Sequence, residues 1–194
     1  MDNRLEKQLE FSLEIDKEKE IYRQTHITGL KRKENDAEHA WHMAIMAYLL
    51  REYSNKDIDI LKVILMCLIH DIVEIDAGDT YAYDSVNLET QKKRENIAKE
   101  RIFSLLPDEQ KTEMISLFDE FEENITPEAN FAHAMDNLQP LILNDSNNGA
   151  DWREHGIYAQ QVFNRQINTK KGSQKLYEIT EMIIKSNIKK GNLK

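Results

Sequence analysis

The chain has 194 residues, of which 26 are Lys or Arg and 35 are Asp or Glu, so its formal net charge is −9. This acidic balance argues against a general binder of DNA or RNA, although a small anionic substrate needs only a local positive site. The single cysteine, Cys67, excludes an internal disulfide framework. The length predicts one domain over residues 1–194, and nothing in the composition departs from an ordinary globular protein.

Two features bear on location. The start, Met1-Asp2-Asn3-Arg4, is not followed by an apolar run, so no signal peptide is predicted. The apolar stretch Ile60–Ile69 is too short to span a membrane, and Lys62 interrupts it. We therefore expect a cytoplasmic protein without a membrane or nucleic-acid partner.

The dominant periodicity is helical and predicts an all-α bundle of about seven or eight helices. Asn35 and Glu38 form a capping-box-like pair at one helix start, and Pro107 and Pro127 mark two others. The predicted helices cover about 5–22, 35–53, 57–73, 88–106, 107–123, 127–143, 153–167 and 173–188. Residues 24–34 are interpreted as a loop.

The third predicted helix is apolar on nearly every side and should be buried. Its last turn breaks that pattern with His70, Asp71 and Glu74. Such breaks are typical of functional sites.

Metal-type ligands occur at three separated places. They are His39 at a helix start, the pair His70-Asp71, and Asp136 in an otherwise apolar segment. Imidazole and carboxylate together suit one divalent ion, such as Mn, Co, Zn, Fe or Mg, and leave its identity open.

These residues and their flanks are similar to those of a known family. The segments ENDAEHAWH at 34–42, HDIVEIDAGD at 70–79 and AMDNLQP at 134–140 resemble the HD superfamily of metal-dependent phosphohydrolases, in particular its 5′-deoxynucleotidase-like branch. The resemblance covers a motif-bearing core of about 15–163, followed by C-terminal helices to about 190. It implies metal ligation by His39, His70, Asp71 and Asp136.

The same resemblance implies roles for residues around the ligands. Glu74 would be the acid/base or water-orienting carboxylate, Asp79 would face the substrate or the attacking water, and Arg23 would contact the phosphate. Gln24 is a departure, since the deoxynucleotidase pattern has a Trp that excludes a ribose 2′-hydroxyl. The implied activity is hydrolysis of nucleoside 5′-monophosphates to nucleoside and phosphate, with a homodimer as the expected assembly.

Several alternatives remain open at this point. Arg23 could pair with Glu20, and Asp79 could be a turn residue after Gly78. The chain could be a non-catalytic nucleotide-sensing or protein-binding module that kept the fold. An HD-fold oxygenase would need a second metal and more histidines, for which His42 is the one candidate.

Overall fold

The computed structural model describes residues 3–83 and 85–194, and for 85–90 it describes the backbone alone. Within these residues the chain forms ten α-helices and a two-stranded antiparallel ribbon, which confirms the all-α class. The elements are α1 (Asn3–Glu14), β1 (Tyr22–His26), β2 (Lys33–Asn35), α2 (Asp36–Leu50), α3 (Ile60–Ile69), α4 (Glu74–Ala77), α5 (Ser85–Phe103), α6 (Asp108–Glu123), α7 (Pro127–Ser146), α8 (Ala150–Glu154), α9 (Ala159–Gly172) and α10 (Gln174–Lys189). Two 3-10 turns, Ile15–Glu20 and Arg51–Tyr53, follow α1 and α2.

Helix α7 is the central element and packs against α2, α3, α6, α9 and α10. Phe131, Met135 and most other residues along it are buried, so it contributes side chains to the main apolar core. The contact with α9 is very close, since a Cβ at Gly172 would lie 2.2 Å from the carbonyl oxygen of Asn130. Pro140 lies inside α7, and the helix continues to Ser146.

Local signals placed the starts of α2 and α7 correctly. The Asn35 side chain accepts a hydrogen bond from the Glu38 backbone at 2.9 Å, and Glu38 accepts one from the Asn35 backbone at 3.2 Å. This pair is the predicted capping box at the start of α2. The Thr126 hydroxyl caps α7 in the same manner at its N-terminus.

The ribbon replaces a predicted loop and the end of a predicted helix. Helix α1 ends at Glu14, and strands β1 and β2 then pair where residues 24–34 were expected to be irregular. Contacts with the distant α7–α8 corner hold this segment. The His26 backbone donates to Asp151 at 2.9 Å, and the Asn147 side chain donates to the carbonyls of His26 and Ile27 at 3.2 and 3.1 Å. Such tertiary contacts leave no periodicity in the local sequence, so the prediction was wrong here.

Two predicted helices are also interrupted. Helix α3 ends at Ile69, and residues 70–73 form tight turns before α4, so His70 and Asp71 lie outside regular helix. The turns are made by bonds between residues three apart, such as the Glu74 N–H to the Asp71 carbonyl at 2.8 Å. The predicted helix over 153–167 is divided at Gly156, whose φ of +63° ends the short α8.

None of the helices formed by the described residues is both long enough and apolar enough to cross a membrane.

Candidate metal centre

Three ligand-type side chains from three separate elements meet in the interior. Ligand atoms of His39, His70 and Asp136 all lie within 4.8 Å of one another. His39 Nε2 is 3.3 Å from Asp136 Oδ1, and the centroids of the two imidazole rings are 5.6 Å apart. His39 is 0% exposed and His70 is 6% exposed, so bulk water does not compete freely for these atoms.

Hydrogen bonds orient both imidazole rings. His39 Nδ1 is 2.9 Å from Oε1 of Gln139, and His70 Nδ1 is 3.0 Å from the carbonyl oxygen of Cys67. Both partners are acceptors, so in each ring Nδ1 carries the hydrogen and donates it. The Nε2 atoms are then left facing the cluster, which is the arrangement that metal-binding histidines use.

Both polar atoms of the Gln139 side-chain amide make hydrogen bonds. Its Nε2 donates to Glu34 Oε1 at 2.6 Å and to His42 Nδ1 at 3.0 Å. These two bonds use both hydrogens of the amide nitrogen, so Oε1 is left as the acceptor for His39. His42 therefore reaches the cluster through Gln139, while the interior position next to Asp136 is taken by His39.

Asp71 lies between the histidines and a second group of carboxylates. Its Oδ1 is 3.1 Å from His70 Nε2, and its Oδ2 accepts from Arg23 at 2.5 Å. Carboxylate oxygens of Asp36, Asp71 and Glu74 also lie within 4.8 Å of one another. Arg23 contacts Asp36 as well, at 3.2 Å, so its guanidinium joins two buried acids.

Neighbouring charged groups shift the pKa values of the residues in this region. Burial would lower the pKa of His70, but the Asp71 carboxylate outweighs it and raises that pKa to about 9. Burial would raise the pKa of Asp136, and Arg165 together with His39 instead holds it well below its usual range. A cation at this position would interact favourably with the same carboxylates, and it would displace the imidazole protons.

The pKa of Glu74 is shifted in the opposite direction from that of Asp136. Burial raises the pKa of its carboxyl well above the ordinary value, and the nearby Asp71 and Asp36 add to that rise. Burial and the neighbouring carboxylates therefore favour the protonated form of Glu74.

A cavity of about 260 Å³ opens onto the cluster. Its lining includes the predicted residues Arg23, Gln24, His70, Asp71, Glu74, Asp79 and Asp136. His39 is not part of the lining; it lies behind Asp136, with its Nε2 3.3 Å from Asp136 Oδ1. Oε1 of the Gln24 side chain accepts from the Lys33 ammonium at 2.6 Å, which leaves the hydrogens on Nε2 of the same amide available to a ligand.

The structure thus brings together the eight residues that the sequence singled out, around one cavity or directly behind it. It adds three that were not assigned a role: Asp36, Gln139 and Arg165. Asp36 and Gln139 are within the motif segments, so their positions were visible but their contacts were not. Arg165 is on α9 outside those segments, and nothing local distinguished it from other surface arginines.

The donor set is compatible with a divalent ion. Imidazole and carboxylate are suitable ligands for such ions, and the approach of several buried carboxylates favours a cation. His70 Nε2 is buried and lies 3.1 Å from Asp71 Oδ1, but no contact with the described residues has the geometry of a hydrogen bond. A buried imidazole nitrogen beside carboxylates and outside hydrogen-bonding geometry is compatible with ligation of a metal ion.

The fold and the donor set together define a helical protein with a histidine–aspartate cluster that could hold a metal ion, and the comparisons with known proteins agree. The model of the HD domain family matches residues 15–177, which is most of the chain. The chain belongs to the HD domain family.

The relatives extend this result. The chain is 33% identical over 123 residues to the 5′-deoxynucleotidase HDDC2 of Xenopus laevis and 29% identical over 115 residues to the human protein of that name. These alignments cover 63% and 59% of the chain but only 57% and 54% of the relatives, so the chain matches little more than half of their length. The resemblance to the deoxynucleotidase branch, predicted from the motifs, is confirmed.

A solved structure is similar over nearly the whole chain. A protein of Magnetospirillum magnetotacticum, described as a predicted metal-dependent phosphohydrolase, is 42% identical with a TM-score of 0.95. The match covers 99% of this chain and 96% of that protein.

Proposed function

We propose that this protein is a divalent-metal-dependent phosphohydrolase that converts nucleoside 5′-monophosphates to nucleoside and phosphate. The observation that carries the proposal is the buried cluster of His39, His70 and Asp136, with Asp71 beside it, at the wall of a cavity that also contains two arginines. The names of the relatives support the substrate class.

One divalent ion would be held by His39, His70, Asp71 and Asp136. Two observations support these assignments: the orientation of both Nε2 atoms, and the lack of hydrogen-bond geometry at His70 Nε2 among the described residues. When bound, such an ion would polarise a phosphoryl oxygen and lower the pKa of water. Mn, Co, Zn, Fe and Mg all remain compatible with imidazole and carboxylate ligands.

Two guanidinium groups would hold the phosphate. Arg23 borders the cavity but already bridges Asp36 and Asp71, so it can give a phosphate only part of its donor capacity. Arg165 also lines the cavity, and among the described residues its ion pair is with Asp136 at 3.5 Å. A guanidinium with one long ion pair keeps further donors for phosphate oxygens.

The carboxyl groups of Glu74 and Asp79 would manage protons and water. Both line the cavity, and burial raises the pKa of each. Glu74 would deliver a proton to the leaving oxygen or orient the attacking water, a contribution of roughly 100- to 10,000-fold in rate for general acid–base groups. Asp79 would orient the water or a sugar hydroxyl.

Gln24 would face the sugar. Because its amide hydrogens are available and its side chain is flexible, it would accept either ribose or deoxyribose. The choice between the two sugars would therefore be weak.

The test is a panel of nucleoside mono-, di- and triphosphates and base-free sugar phosphates, assayed with each divalent ion. Release of orthophosphate from monophosphates, dependent on the added metal, is the expected result. Faster release of pyrophosphate or triphosphate, or absence of turnover with every ion, would contradict the proposal. Elemental analysis of the same preparation should give about one ion per chain.

We further propose that residues 1–194 form one HD domain, that the protein is cytoplasmic, and that it forms a homodimer. Apolar side chains on the outer sides of α2 and α3, such as Trp41 at 62% exposed and Leu61 at 70%, support an assembly through these helices. Light scattering on the purified chain, with Trp41→Glu as the interface variant, tests it.

A further inference from the structure

The cavity extends away from the metal centre along α7. Asp136, Pro140 and Asn144 are spaced four residues apart on this helix, and all three line the cavity. Residues four apart share one side of a helix, and a rise of about 1.5 Å per residue puts Asn144 roughly 12 Å from Asp136 along the axis. The cavity therefore has room for more than a phosphate group.

The far part of the cavity has an aromatic wall. Tyr81, Tyr83 and Trp152 contribute to its lining. The Tyr81 ring centroid lies 5.3 Å from that of Tyr83 at an interplanar angle of 80°, and 4.8 Å from that of His155. These contacts hold Tyr81 in place, so a flat ligand would meet a preformed surface.

Asn144 adds one polar group to this wall. The residue is only 6% exposed, and its Nδ2 donates to the Pro140 carbonyl oxygen at 2.9 Å. Pro140 can only accept there, so Oδ1 of the amide is identified as the free acceptor. This oxygen is buried and has no hydrogen-bond partner among the described residues. A buried acceptor without a donor is unfavourable, and an N–H group of a ligand would relieve it.

We propose that this far part of the cavity is a nucleobase subsite. The ring of a purine or pyrimidine packs against Tyr81 and its aromatic neighbours, and an N–H of the base donates to Asn144 Oδ1. The phosphate then lies at the metal centre two helical turns away. The position of the phosphate in this inference rests on the proposed function. The subsite would make the protein selective for nucleotides over base-free sugar phosphates.

The test measures binding of an uncharged nucleoside, so that it does not depend on hydrolysis. Calorimetry compares 2′-deoxyadenosine with 2-deoxyribose for the wild type and for the variants Tyr81→Leu, Asn144→Leu and Asn144→Asp. Tyr177→Leu is the matched control, because Tyr177 is half-buried on α10, which contributes no described residue to the cavity lining.

The wild type should bind the nucleoside more tightly than the sugar. Tyr81→Leu should weaken nucleoside binding by roughly 5- to 100-fold, the range found for loss of a base–aromatic contact. Asn144→Leu should also weaken nucleoside binding. Asn144→Asp keeps an acceptor oxygen and should therefore bind the nucleoside more tightly than Asn144→Leu. The control Tyr177→Leu should match the wild type.

Equal binding of nucleoside and sugar by the wild type would overturn the subsite. A Tyr81→Leu variant that binds the nucleoside as tightly as the wild type would also overturn it. The Tyr81 variant provides this test even if the substitutions of the buried Asn144 prevent folding. Failure of the proposed function has a different signature. In that case the nucleoside binds as described, but no phosphomonoester is hydrolysed with any metal.

Discussion

Nδ1 of His39 donates to Oε1 of Gln139 at 2.9 Å, across 100 residues of sequence. The bond fixes which imidazole nitrogen is free, and it connects the centre to Glu34 and His42 through the same amide. Both Gln139 and His39 are fully buried, so water cannot replace this contact when it is lost.

Gln139→Leu should therefore weaken metal binding. Loss of a hydrogen bond that orients a ligating histidine typically reduces metal affinity by roughly 10- to 100-fold. Competition with a chromophoric chelator measures the affinity, and circular dichroism checks the fold. Gln166→Leu is the control, since Gln166 is 1% exposed but donates to the Asn137 carbonyl instead of accepting from a histidine. Equal metal affinities for the two variants would show that Gln139 is only a packing residue.

Asp136→Ala and Glu74→Ala should separate a ligand from an acid. Loss of Asp136 should reduce metal content and lower the melting temperature, because an ion that binds only the folded state stabilises it by mass action. Loss of Glu74 should leave both nearly unchanged while kcat falls by roughly 100-fold or more. Metal content, melting temperature and kcat are measured on both variants. If Glu74→Ala loses the metal, or if Asp136→Ala keeps metal and activity, the roles are assigned wrongly.

Arg165→Gln should raise KM for a nucleoside monophosphate and the inhibition constant of inorganic phosphate. A hydrogen bond to a charged group contributes about 1.5–3 kcal/mol, which corresponds to roughly 10- to 100-fold. Metal content should not fall, because Arg165 is a cation beside Asp136 and its loss leaves the negative charge of that carboxylate to the metal. Lys170→Gln, on the same helix but outside the described cavity lining, is the control. A loss of metal without a change in phosphate inhibition would instead assign Arg165 to the support of Asp136.

Gln24→Trp should create a preference for deoxyribonucleotides. The wild type should discriminate by no more than about 100-fold, since a site of adaptable polar groups rejects an added hydroxyl poorly. A bulky ring at position 24 would occupy the space beside the sugar. The ratio of kcat/KM for dAMP and AMP is the measurement. A strong deoxy preference already present in the wild type would mean that another residue excludes the 2′-hydroxyl.

Glu18→Gln should remove a pH dependence from stability. Glu18 is 6% exposed, and burial, followed by repulsion from Asp71, raises its pKa from 4.5 to about 8. A carboxyl whose pKa is higher in the folded state supports folding fully below pH 4.5 and loses that support as pH rises towards 8. The chelator-treated wild type should therefore lose up to a few kcal/mol of unfolding free energy between pH 5 and pH 8 through this group.

Urea unfolding at the two pH values checks this prediction. Glu18→Gln should be more stable than the wild type at pH 8 and similar to it at pH 5. Glu20→Gln removes a negative charge from an exposed position of the same 3-10 turn and serves as the control. Equal pH dependence in wild type and Glu18→Gln would exclude Glu18 as its source.

Three features could be predicted without the structure: the all-α class, the capped start of α2 at Asn35, and the metal-type residues His39, His70, Asp71 and Asp136. These features are encoded locally, because helix caps depend on residues three apart and buried apolar helices make an inserted His or Asp conspicuous. The HD domain family and the resemblance to its 5′-deoxynucleotidase-like branch followed from the motif segments for the same reason.

How these residues are arranged around one another depends on the packing of the helices and could not be predicted from the chain. The β1–β2 ribbon depends on contacts with Asn147 and Asp151, which lie more than 100 positions later in the chain. Helix α3 ends at Ile69, and the turns that follow it direct His70 and Asp71 towards the metal-type cluster. The Gln139 bond to His39, the sharing of Arg23 between Asp36 and Asp71, and the approach of Arg165 are likewise contacts between distant segments. Side-chain hydrogen bonds and ion pairs of this kind impose no periodicity on a chain, so they become visible only once helices α2, α7 and α9 have packed together.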